Sequence, residues 1–284
     1  MARSGYCTKK NSKAEGDHLI CYKDYDYLEN KLSEERIVML NIKGNVRPLT
    51  GSEQFAYLEK HGYFNHTYCS SEQITIGGNT IFQHKDGYFY GAIASYFSEV
   101  ILYRSRDNMA SVEFFAIYPK PAQYEFDYKF LNGRIHAIYR TNRKTDAISY
   151  TTSEDCGQSW SVPVNFKESI QCRPRIIIHN NNILMSYNYY NEDTQNRPLI
   201  QQGRTSIRIC YGNTDTIVCD LYSQYGIVNV CLCDILNDVY MAFSTSVLAL
   251  DYYNGTNYGG LSNIVRGKDA VRYIKVGDLS SNVE

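Results

Sequence analysis

Four stretches of this chain repeat one pattern: a short apolar or aromatic run, a tight polar turn, and a second apolar run. They are residues 81–90 with Asp86-Gly87 at the turn, 130–139 with Asn132-Gly133, 176–185 with Asn180, Asn181 and Asn182, and 231–241 with the turn near Asp238. Apolar residues mostly alternate along each run, which gives an extended chain one buried and one open face. Gly, Asn and Asp accept the positive φ that a two-residue reversal demands. Each stretch therefore reads as a β-hairpin. The turns recur after about 46, 49 and 56 residues.

A third strand and a polar turn follow, at residues 100–103, 147–150 and 206–210. Residues 18–24 read as the same third strand, without a hairpin before it. A hairpin recurring every ~40–50 residues is the pattern of a β-propeller, one four-stranded sheet per period. The expected fold is all-β: a single propeller domain over residues 1–284, with five four-stranded blades, or six. The first blade is expected to be incomplete, or closed by the C-terminal residues 271–277. Residues 52–61 read as a helix, with Ser52 as its cap and Gly62 as its stop. Residues 26–36 are a second helical candidate.

Composition removes several function classes. Lys and Arg number 29 against 30 Asp and Glu, so no global basic field draws nucleic acid or an anionic membrane. No apolar run approaches the ~20 residues of a membrane-spanning helix. The opening residues, Met1 to Gly5, lack the apolar stretch of a secretory leader. The nine cysteines form no CxxC pair, so free thiols in a reducing, cytoplasmic setting are expected. Cys231 and Cys233 fall on one strand face, but no His or Cys lies nearby in sequence to complete a metal site. They read as buried apolar thiols, and no metal or organic cofactor is implied. The 27 tyrosines supply strand formers, stacking faces and hydroxyls for wet clefts.

One local motif is more specific. Residues 153–160, Ser-Glu-Asp-Cys-Gly-Gln-Ser-Trp, fit Ser-x-Asp-x-Gly-x-(Ser/Thr)-Trp at all five defining positions. This resembles the Asp-box of the bacterial-neuraminidase repeat, found in sialidase-like propellers. Its Ser and Asp side chains bond the turn backbone, and its Gly takes a conformation closed to other residues. Ser105 to Met109 is a degraded copy without the Gly and Trp. The motif is structural, and in this fold ligands bind at the mouth of the central channel.

The resemblance also implies site positions. In sialidases the blade with an Asp-box bears an arginine seven residues after the hairpin glycine, which here is Arg140. It would resemble the middle member of the arginine cluster that grips a sialic-acid carboxylate, a contact suited to guanidinium. The family's acidic partner of its tyrosine nucleophile lies about nine residues before the same glycine. Here that position is Tyr124, with Glu125 beside it. Adjacent strand residues face opposite ways, so Glu125 fills the role only if a bulge shifts the register. The same offsets in other blades give Arg173, with Arg175 beside it, and Asn188, Asn79 and Asn229 as lining residues. No Arg-Ile-Pro motif is present. Tyr252 or Tyr253 stands where a late nucleophile would, and Asp17 and Asp24 lack a motif that fixes their register. His136 and His179 read as packed or exposed polar residues of hairpin strands.

Two readings follow. One is a glycoside hydrolase resembling the sialidases, or the five-bladed arabinanase-like and fructosidase-like families, with Tyr124 and Glu125 in the catalytic positions. The other is a non-catalytic propeller that binds carbohydrate or a protein partner through the same face. Neither nucleic acid nor membrane is an expected partner.

Overall fold

The turn residues take the backbone their chemistry allows. Gly87, Asn132, Gly133, Asn180, Asn181 and Asn237 all have positive φ, between 47° and 84°. The fourth reversal centres on Leu236-Asn237, just before Asp238, and puts a 94% exposed leucine at φ 54°. This computed structural model describes residues 2–10, 18–26, 28–62, 74–75, 81–95, 100–118, 125–141, 143, 146–170, 172–189, 206–212, 217–222, 226–246 and 270–276. They form five sheets and one helix. The chain divides into two compact units, Met1–Tyr124 with Asp155–Ser159, and Glu125–Glu154 with Trp160–Glu284.

In the first unit, β2 (His18–Asp26) pairs with β1 (Ala2–Lys10), β3 (Lys31–Leu32) and β4 (Arg36–Ile37). This sheet takes its outer strand from the N-terminal residues, not from residues 271–277. The helix considered for residues 26–36 does not form. Asp26 Oδ1 instead accepts the N–H groups of Leu28 and Glu29 at 2.9 and 3.2 Å. That Asx turn competes with a helix start.

The second sheet adds β5 (Met39–Ile42) and β6 (Asn45–Pro48) to β7 (Ile74–Thr75), β8 (Phe82–Gln83), β9 (Phe89–Ser95), β10 (Val100–Ser105) and β11 (Ser111–Ile117). The β5–β6 hairpin joins β11 in parallel and extends the expected four strands to seven. Helix α1 (Gly51–Lys60) is capped by Thr50, whose hydroxyl accepts from the Glu53 N–H at 3.2 Å, so the cap lies two residues before Ser52. Tyr22, Leu40, Leu49, Tyr103 and Val112 fill the core of this unit.

The β10–β11 turn is a closer copy of the Asp-box than its letters suggest. Asp155 accepts both the N–H and the hydroxyl of Ser159, at 2.8 and 2.5 Å. Asp107 accepts the same two groups of Ser111, at 2.8 and 2.6 Å. Cys156 and Gly157 have φ 57° and 85°, and Asn108 and Met109 have φ 58° and 68°. The copy is Ser-x-Asp-x-Met-x-Ser, and its Met109 is held in the left-handed region while fully buried.

The second unit carries three sheets. They are β12 (Phe126–Leu131) to β13 (Arg134–Arg140), β14 (Ile148–Ser153) and β15 (Val164–Asn165); β16 (Arg175–His179) to β17 (Asn182–Asn188), β18 (Ser206–Tyr211) and β19 (Ile217–Tyr222); and β20 (Gly226–Ile235) to β21 (Asp238–Ser246) and β22 (Ala270–Val276). β22 pairs with β21 from Val239↔Val276 to Thr245↔Ala270, so the C-terminal strand serves its own sheet. Pairing with the preceding strand closes a shorter loop than pairing across the whole chain, and costs less entropy. The first strands are neighbours, β12 beside β16 and β16 beside β20. Ile138, Tyr150, Ile176, Ile183 and Met185 pack between the sheets of β12 and β16, and Leu184, Ile209, Leu232 and Met241 between those of β16 and β20.

Candidate functional site

The ladder between β12 and β13 runs without a bulge from Leu131↔Arg134 to Phe126↔Tyr139. Continued by one pair, it sets Glu125 opposite Arg140, and the Arg140 N–H donates to the Glu125 carbonyl at 2.9 Å. Opposed residues of an antiparallel pair share a face. Arg140 Nη1 accordingly reaches Glu125 Oε2 at 2.5 Å. The bulge expected as the condition for Glu125 to share the arginine's face is not there. The ladder counts eight residues back from Gly133, to Glu125, where the offset counted nine, to Tyr124. Tyr124 lies outside the described residues.

Two residues along the same face stands Asp127, which the sequence reading passed over. Its side chain is 2% exposed. It accepts the Ile176 N–H at 3.3 Å, lies 3.5 Å from Lys129 Nζ, and is 3.9 Å from Arg175 Nη1. Asp127 thus ties β12 to the start of β16. A signal was available: an acid spaced two from Glu125 in the aromatic strand Phe-Asp-Tyr-Lys-Phe-Leu shares its face.

Arg173 precedes β16, whose ladder to β17 begins at Arg175↔Ser186, and the Asn188 carbonyl accepts the Ile170 N–H at 3.0 Å. Burial, and then the neighbouring Arg175 charge, pull the Arg173 guanidinium down to about 10, against the opposing pull of Asp127 and Glu125. Its Nε is buried and makes no hydrogen bond to a described residue. Asn188 is fully buried and donates from Nδ2 to the Ser206 carbonyl at 3.1 Å. Arg140, Arg173, Arg175, Glu125 and Asp127 therefore form one charged group at one end of the β12–β16 seam. Cys231, on β20, also acts electrostatically on Arg173. It is exposed and Cys233 is half-buried, which corrects the reading of both as buried thiols, because their strand end is covered on one side only.

Asn79, Asp17, Tyr252 and Tyr253 lie outside the described residues. Asn229 falls in β20 where the register to β21 shifts between Val228 and Cys231. Asp24 is buried in the first unit and ion-paired with Arg36. His136 Nδ1 lies 2.6 Å from the Tyr150 hydroxyl. His179 is buried between Asp234 Oδ2 at 2.9 Å and the Asn180 amide nitrogen at 3.0 Å. A carboxylate needs a donor and an amide N–H needs an acceptor, so Nδ1 carries the His179 proton. Among the described residues no group of three or more His, Cys, Asp or Glu is placed to hold a metal.

No protein-family model matches the chain, and no curated protein matches it. Solved structures do. A leech intramolecular trans-sialidase is 14% identical, covers 80% of this chain and 33% of its own, and superposes with a TM-score of 0.52. The sialidase of Trypanosoma rangeli is 11% identical, covers 94% of this chain and 44% of its own, with a TM-score of 0.51. The chain has a sialidase-like fold. The fold is shared beyond the sialidases: the GH93 α-L-arabinofuranosidase of Fusarium graminearum is 11% identical, covers 74% of this chain and 64% of its own, with a TM-score of 0.50. This chain thus spans a third to under two thirds of those proteins. At such identity the sialidase-like fold is what is shared, and the chemistry has to be argued from the site.

Proposed function

We propose that this protein is a glycan-active protein of the sialidase-like hydrolase type. It takes the carboxylate of an acidic sugar against Arg140, Arg173 and Arg175. One observation carries the reading. Four cations, the three arginines and Lys129, gather around two carboxylates, Glu125 and Asp127, and the Arg173 guanidinium keeps a buried donor with no described acceptor. Such an excess is relieved by an anionic ligand, and the planar fork of guanidinium matches a carboxylate in two places. Glu125 holds Arg140 in position. In the enzymatic reading it is also the acid partner of a tyrosine nucleophile, in place of Tyr124.

A second reading, binding without turnover, is favoured by a specific feature: both carboxylates already face cations, and Asp127 is sealed from solvent. One experiment separates the two. Calorimetry measures binding of N-acetylneuraminic acid to the wild type and to Arg173→Met, and aryl sialoside and aryl arabinofuranoside are assayed for turnover. Binding is expected, weakened roughly 10- to 100-fold in the variant, since a hydrogen bond to a charged group contributes about 1.5–3 kcal/mol. Turnover selects the hydrolase and its absence the binder. A wild type that neither binds acidic sugars nor cleaves either glycoside refutes both.

A further inference from the structure

The seam between the sheets of β12 and β16 has a second end. Leu131, Arg134 and His136 share the face that carries Glu125 and Arg140, four to six residues further from the arginine group, or about 13–20 Å along β13. There the two sheets part around a cavity of about 310 Å³. Its polar lining is Arg134, His136, Tyr150, Thr152, Ser161 and the paired amides of Asn181 and Asn182, and Leu131 and Val164 give it apolar walls.

The charges of this lining cancel. Arg134 is ion-paired with Glu154. Burial, followed by the nearby Arg134 charge, holds His136 below the ordinary histidine range, so the ring is neutral at pH 7. Among the described residues no further cation lines the cavity. An anion finds no spare charge here. An apolar ligand would cover amides and hydroxyls without bonding them, at a cost in desolvation. Hydrogen-bonding capacity is in surplus: Asn181 makes no hydrogen bond to a described residue, and of Asn182 only the amide nitrogen is used, toward the Asn180 carbonyl at 3.0 Å. The volume stands at the small end of the ~300–1,000 Å³ range of small-molecule sites.

We propose that this cavity binds a neutral monosaccharide unit, as a site distinct from the arginine group at the other end of the same strands. The Asn181 and Asn182 amides take the sugar hydroxyls, joined by the remaining acceptor lone pairs of the Tyr150 hydroxyl, which is bonded to His136 Nδ1; the Ser161 hydroxyl is occupied by Thr151 and Thr152. Leu131 and Val164 take its C–H face. Asn181 and Asn182 belong to the turn that the repeat needs for its φ, so the turn chemistry of one hairpin also supplies the ligand contacts.

The test uses the full chain and a panel of glucose, galactose, mannose, xylose and arabinose. Binding is followed by saturation-transfer NMR and by the imidazole resonances of His136. Tyr150→Phe removes one hydroxyl and keeps the ring, and Asn181→Gly removes the amide and keeps the positive φ. At least one sugar is expected to bind and to shift His136. Each variant is expected to weaken it roughly three- to tenfold, the effect of one lost hydrogen bond, while Arg173→Met leaves it unchanged. The inference is overturned if no sugar moves His136, if binding survives both variants at full strength, or if an acidic sugar or inorganic phosphate occupies the cavity instead. It is also overturned if neutral-sugar binding disappears in Arg173→Met, which would assign that binding to the arginine group and leave the reading of that group standing.

Discussion

Replacing Asp127 by Asn tests whether the charged group is built as described. The substitution keeps the size of the side chain and one oxygen for the Ile176 N–H, and removes the charge together with the second acceptor, which takes the Tyr128 N–H at 2.9 Å. Lys129 and Arg175, whose side chains are 13% and 12% exposed, then lose this counter-ion. Breaking a buried pair from one side costs about 3–5 kcal/mol. The distances of 3.5 and 3.9 Å lie at the long end for ion pairs, so the lower figure applies. A loss of about 3 kcal/mol lowers Tm by roughly 6–12 °C for a chain of this size. Differential scanning calorimetry or urea titration reads it directly. The double variant Asp127→Asn/Arg175→Met removes one stranded cation and should recover about 1 kcal/mol or more relative to the sum of the single variants. A single variant that costs under about 1 kcal/mol, or a double variant whose cost is strictly additive, would refute an organising role for Asp127.

Two left-handed residues should respond in opposite directions. Leu236→Asn relieves a backbone conformation that costs roughly 1–2 kcal/mol in an almost fully exposed residue, so a small rise in Tm is expected. Met109→Gly restores the Asp-box glycine but deletes a fully buried side chain, a loss of about 2–5 kcal/mol that outweighs the relief, so its Tm should fall. Asp107 offers a pH test. Burial works against its charge, but hydrogen bonds from Ser111 and Ser105 outweigh it and hold the carboxyl below its ordinary value. Its stabilisation is present above pH ~4 and is lost as pH falls through the lower folded value. Melting curves of wild type and Asp107→Asn should therefore converge as pH drops below ~4; a constant gap between them would rule this contribution out.

Much of the architecture follows from contacts only a few residues apart. Asn132-Gly133, Asn180-Asn181 and Gly87 mark reversals because positive φ is a property of the residue itself, and period-two runs beside them have no stable alternative to pairing. Even there local chemistry was misread where two local options competed. Thr50 caps the helix in place of Ser52, and Asp26 makes an Asx turn where a helix was considered. The second Asp-box was obscured because Met109 stands where glycine was sought, while the Asp107–Ser111 bonds that define the turn survive.

What the amino-acid order determined by itself was the hairpins, their spacing, the Asp-box turn and the arginines as the charges to watch. Tertiary structure decided which of those charges meet. The pairing of Arg140 with Glu125 depends on the register of a ladder, and a shift of one residue would have turned the acid to the other face. Asp127 bridging to Ile176 and Arg175, and the polar cavity at the far end of the seam, depend on two sheets that join residues about fifty positions apart. Such contacts are set by how apolar faces stack, and no local spacing in the chain encodes them.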